Sequence, residues 1–250
     1  MKKQISIFTT AGYPEIDSLN KQLEMFETFD IDFCEVGIPF SDPMADGPTI
    51  QETSMKAIAN GMNIDLIFQQ LSTRKANTPI YLMGYLNPIV QYGMETFLKK
   101  CVDVNISGLI LPDVSMEIYE RNYKTAFEKF NIPLCFLVTP RTTNDRIQKA
   151  ASLSKKGFLY LVSTNQITGG ESNSDEALQD RYEEVMTLAG DTKVMIGFGI
   201  HDRASFDTKT RHVNGGIIGS AFLRALNDGK EQAFLTEITG KDEEIVNFAG

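Results

Sequence analysis

Residues 193–220 read KVMIGFGIHDRASFDTKTRHVNGGIIGS. An apolar run over 193–198 gives way to a helical pattern over 202–209, then a second apolar run over 215–219, and a new helical pattern starts at Ser220. Strand, helix and strand in that order are the unit of a parallel sheet, because a parallel neighbour is reached only by a crossover connection. The run VMIGF is apolar at successive positions rather than alternate ones, as expected of a strand covered on both faces.

The unit repeats in both directions. Strands are predicted over 5–10, 33–38, 80–85, 108–111, 134–139, 157–163, 193–198 and 215–219. Helical patterns fall at 17–29, 48–60, 64–75, 94–102, 116–130, 144–154, 175–189, 202–209 and 220–227, with a last helix at 230–238 resuming near Glu243. Eight βα units in 250 residues predict an α/β chain folded as a single (β/α)8 TIM barrel over residues 1–250. A doubly wound open sheet is the alternative, but it leaves edges and has fewer strands.

Composition narrows the function. Lys and Arg number 24 against 33 Asp and Glu, a net charge of −9 that disfavours nucleic acid, whose phosphates demand a basic stripe. A small anionic substrate stays compatible, since helix-start amides hold phosphate without net positive charge. Cys34, Cys101 and Cys135 are isolated and lack metal-ligand spacing, so they read as buried thiols. The N-terminal MKKQISIFTTAGYP is too short in apolar residues for a secretory core or membrane span, and the expectation is a cytoplasmic protein. The chain has no Trp, a weak hint of manufacture under tryptophan scarcity.

In a barrel the site lies where strand C-termini feed their loops. The segment CEVGIPFSDPMADGPTIQ at 34–51 places Glu35 within the second strand, with Asp42 and Asp46 in the loop after it. A carboxylate in an apolar run is costly to bury, which raises its pKa and suits it to acid–base work near neutral pH. Alternation puts Phe33, Glu35 and Gly37 on one strand face and Cys34, Val36 and Ile38 on the other, so catalysis requires the Glu35 face to point inward. A structural ion pair is the competing reading of Glu35, and turn formation that of Asp46 and Asp42. Glycines at 197, 199 and 219, with Ser220 opening a helix, read either as an anion site at the seventh and eighth strand ends, to which Gly169 adds amides, or as tight packing at barrel corners. Tyr160 reads either as a pocket hydroxyl or as core packing. The polar stretch 164–175 reads either as an active-site lid or as an ordinary disordered surface loop. His201 and His212 read as surface or capping residues, and no Lys at a strand end supports a Schiff base.

Taken together, TTAGYP, CEVGIPFSDPMADGPTIQ, LMGYLNPIVQYG, GLILPDV, GFLYLVSTNQITGG, IGFGI and GIIGSA, in this order, resemble the tryptophan synthase α subunit along nearly the whole chain. The resemblance implies a lyase that splits indole-3-glycerol phosphate into indole and glyceraldehyde 3-phosphate. It implies catalysis by Glu35 and Asp46, substrate contacts from Phe8, Tyr85 and Tyr160, and phosphate held by Gly169, Gly199, Gly219 and Ser220. It further implies an α2β2 complex, with Asp42 facing the β subunit and pyridoxal phosphate (PLP) belonging to that partner; no cofactor is expected in this chain. Three departures stand out: no helix before the first strand, Ser163-Thr164-Asn165-Gln166 where Ser-Arg-x-Gly is usual, and Val114-Ser115 in place of Leu-Pro. Chemistry is expected to survive them, and coupling to the β subunit to differ. A sugar-phosphate isomerase and a weakly catalytic activator of a partner are the rival readings.

Overall fold

The computed structural model describes residues 2–163 and 175–241, with the backbone alone at 175 and 176. The strands among them are β1 (Gln4–Thr10), β2 (Phe33–Gly37), β3 (Ile80–Met83), β4 (Gly108–Ile110), β5 (Leu134–Cys135), β6 (Leu137–Val138), β7 (Leu159–Val162), β8 (Val194–Gly197) and β9 (Gly215–Ile218). All pairings are parallel, in the order β5-β4-β3-β2-β1-β9-β8-β7-β6. β5 and β6 are halves of one stave, the strand predicted at 134–139. β5 pairs with β4 and β6 with β7, while the Phe136 N–H between them turns to the Ser154 hydroxyl at 3.0 Å. The chain itself thus closes the ring, and the result is the predicted eight-stave barrel.

The helices are α1 (Leu19–Thr28), α2 (Pro48–Ala59), α3 (Ile64–Ser72), α4 (Leu86–Tyr92), α5 (Met94–Asp103), α6 (Met116–Ile118), α7 (Lys124–Phe130), α8 (Asn144–Leu153), α9 (Asp175–Ala189), α10 (Arg203–Lys209), α11 (Ser220–Asn227) and α12 (Glu231–Thr239). Two differ from expectation. The single helix predicted over 116–130 is α6 and α7 joined by a π-helical turn, Tyr119–Tyr123. Tyr119 at the start of that turn and Phe127 in α7 are both buried, their rings 5.4 Å apart edge to face. Helix α4 has no counterpart in the sequence reading. Pro88 is tolerated in its first turn, where N–H groups lack intrahelical acceptors, and the Leu86 N–H donates to the Asp113 carboxylate at 2.9 and 3.1 Å. No helix among the described residues is long and apolar enough to cross a membrane.

Strand alternation divides the core into two shells. Ile7, Cys34, Val36, Leu82, Leu109, Leu161 and Ile196 point outward into the helix layer, packing with residues such as Phe26, Phe97 and Phe222. Phe8, Phe33, Met83, Ile110, Phe158, Tyr160, Met195 and Ile217 fill the lumen as a separate cluster. Burying each such side chain contributes roughly 1.5–3 kcal/mol, so both shells matter to stability. Phe33, Tyr81 and Phe158 meet edge-on or tilted, with ring centroids 5.0–5.3 Å apart, and plug the lumen on the N-terminal side of Glu35. Two lumen glycines make room for neighbouring rings. A Cβ on Gly37 would come within 2.6 Å of the Phe8 ring, and one on Gly197 within 2.2 Å of the Tyr160 hydroxyl. The site's aromatic walls therefore depend on these missing side chains.

Candidate active site

Glu35 shares the inward face of β2 with Phe33 and is 1% exposed. Register sets it beside Phe8 on β1. Neither of its carboxyl oxygens has a hydrogen-bond partner among the described residues. Burial first, and the charge of Asp46 second, push its pKa up to about 8. The side chain therefore carries a proton at neutral pH, because no donor or cation compensates an ionised form. A structural ion pair, the competing reading, is absent among the described residues.

Asp46 lies in the loop between β2 and α2. Desolvation raises its pKa to about 6, and a hydrogen bond from Tyr85 opposes that rise. The Tyr85 hydroxyl donates to Asp46 Oδ2 at 3.0 Å and accepts from the Ala45 N–H at 3.0 Å, while its ring stacks on Phe40 at 5.2 Å. Tyr85 is the residue before α4, so the helix missed in the sequence is what aims this phenol. Asp46 Oδ1 is buried without a partner among the described residues, available to a ligand donor. The two acids thus separate in the order that acid–base chemistry exploits: Glu35 protonated and Asp46 ionised near pH 7.

A cavity of about 280 Å³ opens at the strand C-termini. Glu35, Asp46, Phe8, Tyr160, Gly199, Gly219 and Ser220 all line it, so the structure brings together seven of the positions singled out in the sequence. Tyr85 reaches it through Asp46. Asp42 is exposed on the loop outside it. Gly169 and the lid positions 164–174, Thr164 and Gln166 among them, lie outside the described residues, as does the helix expected near Glu243.

The cavity is also lined by backbone and glycine from the β8 and β9 ends. α11 starts at Ser220 directly after β9, and its first-turn N–H groups lack intrahelical acceptors. A methyl on Gly219 would meet Phe8 and Ile50 at 3.5 and 3.7 Å, ordinary contacts that take up cavity space. After β8 the chain turns through two consecutive left-handed residues, Phe198 (φ 73°) and Gly199 (φ 71°). For Phe198 that conformation costs on the order of 1–2 kcal/mol. The Ser163 hydroxyl, donating to the Phe198 carbonyl at 2.6 Å, helps hold it.

Sequence reasoning missed Ile50 and Gly47 at the α2 start, Phe198, and Arg224 of α11, all of which line the cavity. The sequence places the start of the Ser220 helix at the site, but spacing does not show that Arg224 one turn further on, or the first turn of α2, borders the same cavity. His201, read as a surface residue, is exposed as expected, yet it also edges the cavity. Among the described residues no group of three His, Cys, Asp or Glu side chains is placed to hold a metal ion.

An eight-stave parallel barrel with a buried carboxyl and a helix start lining one cavity at its strand C-termini has the architecture of a (β/α)8-barrel enzyme. A family model described as the tryptophan synthase alpha chain matches residues 1–246. The tryptophan synthase alpha chain of Flavobacterium psychrophilum is 43% identical over 91% of this chain and 90% of its own length. That of Flavobacterium johnsoniae is 40% identical over 95% of each. Among solved structures, the tryptophan synthase subunit alpha from Campylobacter jejuni superposes with TM-score 0.85 at 29% identity, covering 94% of this chain and 95% of that one. A chain of the Mycobacterium tuberculosis tryptophan synthase in its aminoacrylate-bound form gives 0.84 at 25% identity, covering 95% and 92%. The chain belongs to the tryptophan synthase alpha chain family, carbon–carbon lyases of L-tryptophan biosynthesis that cleave indole-3-glycerol phosphate to indole and glyceraldehyde 3-phosphate.

Proposed function

We propose that Glu35 is the acid–base residue of this cleavage and Asp46 its electrostatic partner. The observation that carries the assignment is the buried Glu35 carboxyl, without a partner among the described residues and with its pKa near 8, lining with Asp46 one cavity whose other wall is anion-receptive.

The indole ring fits between the apolar walls of Phe8, Tyr160 and Ile217, and the phosphate meets the amides at Gly199, Gly219 and Ser220. Protonated Glu35 delivers its proton to indole C3, and the ring becomes an iminium-like cation. Asp46 accepts a hydrogen bond from the indole N–H and stabilises that charge. The carbon–carbon bond at C3 then breaks toward the ring. The adjacent glycerol hydroxyl becomes the aldehyde and gives its proton to the Glu35 carboxylate, which restores the starting acid. The ring itself is the electron sink, so neither a metal nor a lysine imine enters the balance. Tyr85 positions Asp46 and keeps it ionised.

The rim suits docking of a β subunit. Met44 is 80% exposed and Asp42 is exposed beside it, on the same loop that carries Asp46. PLP is assigned to that subunit, and the cytoplasm to the complex. Indole release from indole-3-glycerol phosphate, measured with and without a β subunit, tests the reading. Release abolished by Glu35→Gln supports it, and turnover near wild type in that variant refutes it.

A further inference from the structure

Arg224 sits one turn into α11, four residues after Ser220, so the helix returns it to the face where the helix begins. It lines the active cavity with Gly219, Ser220 and Ala221, and it also lines a neighbouring cleft of about 460 Å³ bounded by α2 and α11. It is the only Lys or Arg among the described residues lining the active cavity. His201, the other basic side chain there, faces Asp202 at 3.5 Å. Arg224 makes no ion pair among the described residues, although Glu52 and Asp228 border the same cleft. Its contact is a long one, 3.5 Å to the Thr49 hydroxyl in the first turn of α2. A guanidinium resting on a neutral hydroxyl at the rim, rather than on a carboxylate, keeps its charge available to an anion.

The electrostatics call for such a charge. A phosphate monoester carries about −1.5 to −2 at pH 7, and it enters a chain of net charge −9 whose cavity already holds Glu35 and Asp46. A helix start supplies only about half a positive charge. Building on the phosphate end assigned above, we propose that Arg224 closes over the substrate phosphate as a side-chain clamp between α11 and α2. It thereby makes the site selective for the phosphorylated substrate over unphosphorylated indole glycerol. The clamp acts on the anion alone, away from the carbon centre where the bond breaks.

Calorimetric titration of glycerol 3-phosphate into wild type, Arg224→Gln, Arg224→Lys and a charge control, Lys56→Gln, tests this without requiring turnover. The expected result is a Kd about tenfold weaker in Arg224→Gln, partly restored by Lys, unchanged in the control, and with a flatter dependence on salt. In the reverse condensation the KM for glyceraldehyde 3-phosphate rises by a similar factor while that for indole stays put. A Kd in Arg224→Gln within twofold of wild type, or an equal loss in Lys56→Gln, overturns the clamp. Failure of the underlying site assignment looks different: glycerol 3-phosphate then fails to compete with indole-3-glycerol phosphate in the wild type itself.

Discussion

The two walls of the cavity solve opposite problems with opposite materials. The wall from β1, β2 and the loop to α2 presents side chains: Glu35 buried without a partner, Asp46 tethered by one phenol, Phe8 pressed into the space that Gly37 leaves. The wall from β8, β9 and α11 presents glycines and the first-turn amides of α11, with the Arg224 side chain beside them. Proton transfer needs a group whose affinity for a proton is tuned by its surroundings, and only a buried side chain can be tuned that way. Holding an anion needs fixed dipoles that do not titrate, which amides supply.

The strongest way to break this contrast is Glu35→Gln. It keeps shape and polarity, so kcat for indole release should fall roughly 10²–10⁴-fold with little change in KM; a rise in KM with kcat intact, in steady-state assays, would place Glu35 on the binding side instead. Next is the opposite wall. Gly219→Ala adds a methyl against Phe8 and Ile50, and should raise KM about tenfold with a smaller effect on kcat. Tyr85→Phe keeps the ring stacked on Phe40 but removes the donor to Asp46. A loss of about fivefold in kcat/KM is expected. Because that hydrogen bond favours the carboxylate, the acid limb of the kcat/KM profile, near pH 6 in the parent, should move to higher pH; an unmoved limb would reduce Tyr85 to packing.

The last effect is on stability. Glu35 holds its proton more tightly folded than unfolded, so its favourable contribution is complete below about pH 4.5 and is lost as pH rises through about 8. Glu35→Gln should therefore gain on the parent as pH rises, by up to about 5 kcal/mol at pH 9, seen as a higher Tm, and converge with it near pH 4. Equal melting temperatures at both pH values would show that the carboxyl is hydrated after all.

The barrel was legible because βα alternation and doubly covered strands are local patterns; VMIG of β8 is buried throughout, and only Phe198 after it turns out to solvent. Glu35 was legible for the same reason, as a charge inside an apolar strand. What escaped depends on contacts distant in sequence. Helix α4 begins on a carboxylate 27 residues further along. The break at Phe136 exists because Ser154 takes its N–H. Arg224 borders the cavity only once β9 closes against β1. Period and spacing record none of these.

One oxygen atom in the structure has two masters. The Tyr85 hydroxyl holds the Ala45 amide with its lone pair and Asp46 with its proton, so the loop's outer edge and the carboxylate share a single hinge pin. Met44, immediately before Ala45, stands almost fully in solvent. A push on that methionine large enough to pull the Ala45 amide off the phenol would be felt one residue later as a change in the acidity of Asp46. In this loop the distance from outer surface to chemistry is two residues.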